Sequence, residues 1–295
     1  MALVATLISN PKAAKLSQAI ANMASNALGA TTIEWLAPEI ACDIPVPELL
    51  SGQEADQTIR AALAGASIDV AVQQAEGRRK KMLIADMDST MIDQECIDEL
   101  AAEVGIKEHV AAITARAMNG EIEFEPALRE RVALLKGLEL PVIERVIEGR
   151  LTLASGGREL VATMRRDGAY TALVSGGFDI FTGRIAAMLD FHEHRANRLI
   201  EADATLAGLV AEPILGREAK ARSLREIAAT LGITTDEVMA VGDGANDLDM
   251  LRIAGAGVAL HAKPSVAAQA QIRIDHGDLT ALLYLQGYRR EEFTG

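Results

Sequence analysis

Aromatic residues are scarce in this chain: they make up 3% of its 295 residues, although 49% of the residues are hydrophobic. We therefore expect a core built mainly from aliphatic and alanine side chains. The two cysteines, Cys42 and Cys96, are too few and too far apart for a disulfide framework or a zinc site, which is typical of a reducing compartment. The few histidines form no ligand-spaced cluster, and His192 and His194 are predicted to lie on the surface.

Basic residues are outnumbered by acidic ones. The chain has 29 lysines and arginines against 42 aspartates and glutamates, for a net charge of −13 at pH 7. A nucleic-acid-binding surface is expected to be basic, so no nucleic-acid partner is predicted. The apolar opening run, residues 2–9, is too short to span a membrane and follows no basic segment. We therefore expect a cytoplasmic protein with no membrane partner.

The first 75 residues have the pattern of a small α+β unit. Strands and helices are predicted in the order β-α-β-β-α-β, at residues 3–9, 12–25, 31–37, 39–46, 54–65 and 68–74. This order predicts a ferredoxin-like unit over residues 1–75, similar to ACT-like regulatory modules. Such modules bind amino acids and often dimerise, so a homodimer through this unit is one expectation and a purely structural role is the other. The polar run 73–81 is predicted to be a linker.

Beyond the linker, short apolar strands alternate with amphipathic helices. Strands are predicted at residues 82–86, 169–175, 237–243, 257–260 and 272–275. Helices are predicted at residues 157–168, 178–189, 218–232, 246–255, 264–271 and 279–288. This alternation predicts, for residues 76–295, an α/β fold with a Rossmann-like parallel sheet covered by helices on both faces.

Three of these predicted strands end in residues that can carry chemistry. They are Asp86 and Asp88, then Ser175, Gly176 and Gly177, and then Asp243, Asn246 and Asp247. Each group alone has an ordinary explanation, since aspartate caps helices and Ser-Gly-Gly forms turns. A parallel sheet, however, would bring the three strand ends to one edge, where ligands bind. Carboxylates converging from two strands need a hard cation, which predicts a Mg²⁺ site.

Two further features extend this site. Backbone amides around Ser175 and Gly176, just before a predicted helix, would form an anion cradle. Lys220, at the start of another predicted helix, would add a positive charge. A divalent cation, an anion cradle, a lysine and an exposed aspartate together indicate phosphoryl transfer with an aspartyl nucleophile.

The same residues resemble a known family. The sequences DMDST at 86–90, SGG at 175–177, Lys220 and GDGANDLDML at 242–251 are similar to the four motifs of the haloacid dehalogenase superfamily, over about residues 81–295. The runs at 86–95 and 119–137 more closely resemble the phosphoserine phosphatase branch of that superfamily. This resemblance implies Mg²⁺-dependent hydrolysis of O-phosphoserine to serine and phosphate, the last step of serine biosynthesis.

The resemblance also implies roles for the site residues. Asp86 would attack phosphorus, and Asp88 would act as general acid and then general base. Mg²⁺ would be held by the Asp86 carboxylate, the Asp88 backbone carbonyl and the Asp243 carboxylate. Asp247 would orient Lys220 or a water on the metal. The residues implied to contact the phosphate are Ser175, Gly176, Gly177, Lys220 and Asn246.

The long segment between the first two predicted strands of the sheet would form a helical cap, about residues 93–155, that excludes water from the site. Arg131 falls on the apolar stripe of a predicted cap helix, where binding a ligand is favoured over snorkelling. By resemblance, Glu95 would bind the substrate ammonium group and Arg131 its carboxylate, with Met118 and Phe124 along the apolar wall. One anionic and one cationic contact suit a zwitterion better than a sugar phosphate.

Two other functions stay open at this point. A phosphotransferase that passes the phosphoryl group from phosphoserine to homoserine instead of water would carry the same motifs. A catalytically inactive, amino-acid-sensing regulator is disfavoured because Asp86, Asp88, Lys220 and Asp243 are all in place.

Overall fold

The computed structural model describes residues 2–295. Its N-terminal unit consists of β1 (Leu3–Ser9), α1 (Gln18–Leu28), β2 (Glu34–Ala37), β3 (Ala41–Val46), α2 (Gly52–Ala62) and β4 (Ile68–Gln74). The strands form an antiparallel sheet in the order β2-β3-β1-β4, which confirms the predicted element order. α1 begins later than predicted because the Ser17 side chain accepts a hydrogen bond from the Ile20 N–H and caps the helix there.

The rest of the chain forms a second, larger unit. Its elements are β5 (Met82–Ala85), α3 (Cys96–Glu103), α4 (Lys107–Met118), α5 (Phe124–Ala133), α6 (Pro141–Arg150), α7 (Gly157–Arg166), β6 (Tyr170–Phe178), α8 (Asp179–Leu189), β7 (Glu193–Asn197), β8 (Leu199–Ala202), β9 (Thr205–Val210), α9 (Arg217–Leu231), β10 (Val238–Gly242), α10 (Leu248–Ile253), β11 (Ala256–Leu260), α11 (Pro264–Ala267), β12 (Ile272–Ile274) and α12 (Ala281–Leu285). None of the helices within residues 2–295 combines the length and apolarity needed to cross a bilayer.

Six strands of this unit form the predicted parallel sheet, in the order β12-β11-β10-β5-β6-β7. β5 lies between β10 and β6, so the three strands with polar ends are neighbours. Residues of β5 alternate between the two faces: Met82 and Ile84 pack into one apolar cluster, and Leu83 and Ala85 pack into another. The sheet is therefore buried on both faces, as the continuous apolar strands predicted.

Helices α3–α6 form the insertion between β5 and α7. Its two connections to the sheet are paired: Ile92 forms an antiparallel bridge with Leu153, and the Asp93 N–H donates to the Thr152 carbonyl at 3.1 Å. The Gln94 side chain donates to Thr152 Oγ1 at 2.8 Å and accepts from the Thr152 N–H at 2.9 Å. The insertion is therefore joined to the sheet by one short, hydrogen-bonded stem.

β7, β8 and β9 were not predicted. β7 extends the sheet beyond β6, and β8 and β9 form an antiparallel hairpin that packs against α5 of the insertion. His192 and His194 are exposed in this region, as predicted.

The N-terminal unit packs directly on the larger one. Ile8 and Ala71 belong to the same apolar cluster as Leu282 of α12. The carboxylate of Asp69, at the start of β4, is 3% exposed and accepts hydrogen bonds from the backbone N–H groups of residues 275–277. The two units therefore share part of one core, and a buried aspartate fixes their contact.

Candidate active site

Acidic side chains from neighbouring strands meet around one buried lysine. Asp86 directly follows β5 and Asp243 directly follows β10, and they are 4% and 2% exposed. Lys220, in the first turn of α9, is completely buried, and its Nζ lies 2.7 Å from Asp86 Oδ1 and 2.6 Å from Asp247 Oδ1. Residues that are up to 161 positions apart in the sequence (86 and 247) thus lie close together, as expected for the ends of neighbouring parallel strands.

The charge balance of this cluster is negative. Burial would lower the pKa of Lys220, but Asp247 and Asp86 outweigh it and raise that pKa above its ordinary value, so the lysine stays charged. Burial and the charge of Asp247 raise the pKa of Asp86 well above its usual range, and Lys220 offsets only part of this rise. Burial and the charges of Glu95 and Asp247 raise the pKa of Asp243 in the same direction. One ammonium group does not neutralise this set of carboxylates.

The carboxylate oxygens are placed to accept a cation. Oxygens of Asp86, Asp243 and Asp247 lie within 4.8 Å of one another. Within residues 2–295, Asp86 Oδ1 and Asp243 Oδ2 are buried, and the only partner of each is an ammonium group, Lys220 Nζ at 2.7 Å and Lys263 Nζ at 3.3 Å respectively. Asp247, in contrast, accepts from Lys220 through Oδ1 and from the Gly244 N–H through Oδ2 at 3.0 Å. Asp86 and Asp243 thus have buried oxygens that only lysines contact, whereas both oxygens of Asp247 accept hydrogen bonds.

Asp88 is held beside the cluster by the backbone. Its Oδ1 accepts from the Cys96 N–H at 3.0 Å, at the start of α3. Burial raises its pKa despite this hydrogen bond, which favours a carboxyl group that can keep and then return a proton. A Cβ on Gly177 would lie 2.7 Å from Asp88 Oδ2, so the close approach of Asp88 to β6 requires glycine at that position.

β6 continues through Phe178, three residues beyond its predicted end, so the Ser-Gly-Gly sequence is strand rather than turn. The reason is Asn197, the last residue of β7. Its Nδ2 donates to the Gly176 carbonyl at 2.8 Å and keeps this part of β6 attached to β7. The Gly177 N–H donates to Ser175 Oγ at 2.9 Å and is therefore occupied. A Cβ on Gly176 would lie 2.7 Å from the Phe124 ring, so this glycine lets the insertion approach the strand.

Glu95 reaches the site through a tight turn. Ser89 adopts a left-handed backbone conformation (φ 54°), and its Oγ donates to Glu95 Oε1 at 2.8 Å. Burial and the nearby charge of Asp88 raise the pKa of Glu95 to about 7. Within residues 2–295, no basic side chain forms an ion pair with this carboxylate, whose hydrogen bond comes from a neutral hydroxyl.

Arg131 is buried without a carboxylate partner. It is 2% exposed; its Nε donates to the Ala127 carbonyl at 3.1 Å and its Nη1 donates to Thr114 Oγ1 at 3.0 Å. Thr114 in turn donates to Asp98 Oδ1 at 2.7 Å. Burial lowers the pKa of Arg131, which Glu95 and Asp98 partly offset. The guanidinium is thus held by neutral acceptors, with no ion pair to any side chain among the described residues.

These side chains face one pocket. Its lining includes predicted site residues, namely Asp86, Asp88, Glu95, Met118, Phe124, Arg131, Ser175, Gly176, Gly177, Asp243 and Asn246. The lining also includes three apolar residues that were not predicted, Ile97, Leu128 and Phe178. Lys220 and Asp247 lie beneath the pocket and are fully buried; Lys220 contacts both Asp86 and Asp247.

Sequence reasoning missed the residues that support the pocket. Thr114 and Asp98 orient Arg131, yet nothing in their sequence context distinguishes them from ordinary helix residues. Lys263 was also missed; its Nζ lies 3.3 Å from Asp243 Oδ2. It follows β11, so the strand-end rule applied to a fourth strand would have found it.

The family model for haloacid dehalogenase-like hydrolases matches residues 83–252, more than half of the chain. The chain belongs to this family. The match begins in β5 and ends in α10, so it includes Asp86, Ser175, Lys220 and Asp243. The predicted fold is therefore confirmed: a parallel sheet of the haloacid dehalogenase type, preceded by an additional N-terminal unit.

Individual family members extend this finding. A phosphoserine phosphatase of Streptomyces coelicolor is 41% identical over 232 residues; the match covers 79% of this chain and 56% of that relative's own length. A solved phospho-aspartyl intermediate analogue of phosphoserine phosphatase is 41% identical, with a TM-score of 0.67 over 70% of this chain and 98% of that one. An unliganded probable phosphoserine phosphatase from Vibrio cholerae is 30% identical, with a TM-score of 0.78 over 99% of this chain and 88% of that one.

Proposed function

We propose that this protein is a Mg²⁺-dependent phosphoserine phosphatase that acts through an aspartyl-phosphate intermediate. The observation that carries the proposal is a pair of opposite charges, Glu95 and Arg131, that face the pocket of Asp86 and have no ion-pair partner among residues 2–295. Arg131 is buried and Glu95 is half-buried, and removing a charge from water is costly unless it is paired, so each of these groups is expected to find its partner in the ligand.

The two charges specify the non-reacting part of the substrate. Glu95 would bind an ammonium group and Arg131 a carboxylate, which together describe an amino-acid zwitterion. Met118 and Phe124 border the pocket from the insertion and would pack against the short aliphatic part of the substrate. With Asp86 and Ser175 in the same pocket, the third substituent would be a phosphate ester, and O-phosphoserine has all three groups.

The reaction would then proceed at Asp86. A carboxylate oxygen of Asp86 attacks phosphorus, the bond from phosphorus to the serine oxygen breaks, and Asp88 donates its proton to that oxygen. Asp88 then takes a proton from water, which attacks the aspartyl-phosphate, releases phosphate and regenerates Asp86. Lys220 would offset the charge of the phosphoryl group and of Asp86, while Ser175, Gly176 and Asn246 would hold phosphoryl oxygens.

The acidic cluster fits Mg²⁺. Its ligand atoms are carboxylate oxygens, two of which are buried with only a lysine ammonium group as partner among residues 2–295, and hard divalent cations prefer such ligands. The ion would be held by the Asp86 carboxylate, the Asp88 backbone carbonyl and the Asp243 carboxylate. Asp247 would orient Lys220 or a water on the metal. When bound, the ion would neutralise charge that develops on the transferred phosphoryl group.

The relatives named above support hydrolysis over the alternatives. Each of the three is named as a phosphoserine phosphatase, as a probable one or as its intermediate analogue. The regulator alternative is further disfavoured because Lys220 and Asp86 are in contact at 2.7 Å, as an active nucleophile requires.

The test is a phosphate-release screen over phosphorylated metabolites in the presence of Mg²⁺. O-phosphoserine should be hydrolysed with the highest kcat/KM, and phosphoethanolamine, which lacks the carboxylate, should be a poor substrate. Product analysis with added homoserine separates the transferase, since phosphohomoserine would then form at the expense of free phosphate. Preference for a sugar phosphate would overturn the assignment.

We further propose that residues 1–75 form an ACT-like N-terminal domain, residues 76–295 the phosphatase domain, and about 93–155 the cap of that domain. A homodimer through the N-terminal unit is supported by Met23 and Leu49, which are 50% and 97% exposed. Light scattering of the purified protein, and of a variant that carries both Met23→Lys and Leu49→Lys, tests the dimer.

The proposed cytoplasmic location is supported by Cys42 and Cys96, which are both free thiols.

A further inference from the structure

The loop that follows β11 brings a second lysine to the acidic cluster. The backbone N–H of Lys263 donates to the Asp243 carbonyl at 3.1 Å, and its Nζ lies 3.3 Å from Asp243 Oδ2. That oxygen is buried and has no hydrogen-bond donor of good geometry among residues 2–295. Lys263 is thus attached through its backbone to one proposed metal ligand and reaches the free oxygen of the same ligand with its charge.

The two lysines of the site are held very differently. Lys220 has no exposed side-chain surface and contacts Asp86 and Asp247 at 2.7 and 2.6 Å. The Lys263 side chain is 34% exposed and has a single, longer ion pair. Lys220 is therefore a permanent part of the cluster, whereas the ammonium group of Lys263 can turn into solvent without breaking a network.

We propose that Lys263 is a displaceable counter-ion of the metal site. In the metal-free protein it neutralises Asp243, and when Mg²⁺ binds to Asp243 the ammonium group withdraws toward solvent. The inference rests on the proposed Mg²⁺ dependence. Like charges close together repel, so Lys263 and the divalent cation compete for the same oxygen. Lys263 therefore stabilises the metal-free protein and weakens its affinity for Mg²⁺.

The test is Mg²⁺ binding measured by isothermal titration calorimetry without substrate, together with the thermal midpoint in chelator and in saturating Mg²⁺. Lys263→Met removes the charge and keeps most of the aliphatic stem, and Lys263→Arg keeps the charge. Lys15→Met is the matched control, because Lys15 is an exposed lysine on a loop of the N-terminal unit. All variants are compared as the full-length chain at one ionic strength.

Lys263→Met should bind Mg²⁺ roughly 5- to 30-fold more tightly than the parent, which corresponds to about 1–2 kcal/mol at ~1.4 kcal/mol per factor of ten. Its midpoint in chelator should fall, because Asp243 loses its counter-ion, and this deficit should vanish in saturating Mg²⁺. Lys263→Arg and Lys15→Met should bind Mg²⁺ like the parent.

Unchanged Mg²⁺ affinity in Lys263→Met would show that Lys263 is a passive neighbour. Weaker Mg²⁺ affinity would show that Lys263 positions Asp243 for the metal. Either result would overturn the proposal that Lys263 is a displaceable counter-ion. A midpoint deficit that persists in saturating Mg²⁺ would likewise assign Lys263 to packing. If the parent protein itself bound no Mg²⁺, the proposed cofactor would fail instead, so the two failures are distinguishable.

Discussion

Replacing Arg131 separates substrate binding from stability. In Arg131→Met the aliphatic side chain retains most of the packing volume, and the guanidinium charge is lost. The charge is buried and has no ion pair among residues 2–295, so its removal should not lower the thermal midpoint. The same change should strongly impair the reaction. A variant that is as stable as the parent but less active is the expected signature of a residue reserved for the ligand.

The size of the loss follows from the contact proposed for the substrate carboxylate. A charge-assisted hydrogen bond in a water-poor site contributes about 1.5–3 kcal/mol. Because each ~1.4 kcal/mol is a factor of ten, kcat/KM for phosphoserine should fall by roughly 10- to 150-fold. Lysine at position 131 should restore only part of this loss, since an ammonium group cannot reproduce the planar fork of a guanidinium. Thr114→Val, which removes the acceptor that orients Nη1, should cause a smaller loss in the same direction.

The assay compares phosphoserine with phosphoethanolamine in steady-state phosphate release, and unfolding is followed on the same samples. Phosphoethanolamine lacks the carboxylate, so its turnover should change by less than about threefold in Arg131→Met. The comparison between substrates removes any general damage to the enzyme, which would slow both. Equal losses on the two substrates would refute the carboxylate contact and assign Arg131 to packing or to the phosphate.

Three further outcomes are expected. Asp86→Asn is isosteric and should keep the fold but abolish phosphate release, because the attacking oxygen is replaced; near-normal turnover would rule out an aspartyl-phosphate. Removal of metal by a chelator should abolish activity, and added Mg²⁺ should restore it. Ca²⁺ should inhibit the enzyme because its coordination shell is larger and looser. Full activity after chelation would exclude the metal site. Asp69→Ala leaves the N–H groups of residues 275–277 without their acceptor and should cost about 2–4 kcal/mol in urea unfolding. The control Asp56→Ala removes only a partly exposed ion pair with Arg60 and should cost less than about 0.5 kcal/mol. Equal effects would show that Asp69 does not fix the contact between the units.

The cluster of acidic residues and Lys220 could be predicted from sequence because its position follows a simple topological rule. The strands β5, β6 and β10 are apolar and buried, so their positions could be identified in the sequence. Parallel strands put their carboxyl ends on one edge of the sheet. The rule did not need the exact strand limits: β6 runs on to Phe178, yet Ser175 still reaches the pocket. Lys263 was missed because no acidic residue marks the end of β11.

The hairpin and its neighbouring edge strand could not be predicted for a different reason. β7 has a single buried residue, Asn197, and β8 has only Leu199, so neither shows the alternation of a half-buried strand. Their structure depends on distant partners, such as the pairing of Asn197 with the end of β6 and the packing of β9 on the cap. The support of Arg131 by Thr114 is a similar case, since it depends on how two cap helices pack.

The short, hydrogen-bonded stem of the cap determines how ligands can come and go. The cap is also attached away from this stem, because the Gly137 N–H donates to the Leu206 carbonyl and the Leu206 N–H donates to the Leu138 carbonyl, both at 2.8 Å. The stem and the β8–β9 hairpin therefore hold two sides of the cap. On the side of the loop after β11 the contact is weaker: Ser265 Oγ donates to the Asn119 carbonyl at 3.1 Å, and a hydrogen bond of this kind contributes about 0.5–1.5 kcal/mol. A ligand is therefore expected to enter and leave between α4 and this loop, while the stem and the hairpin stay in place.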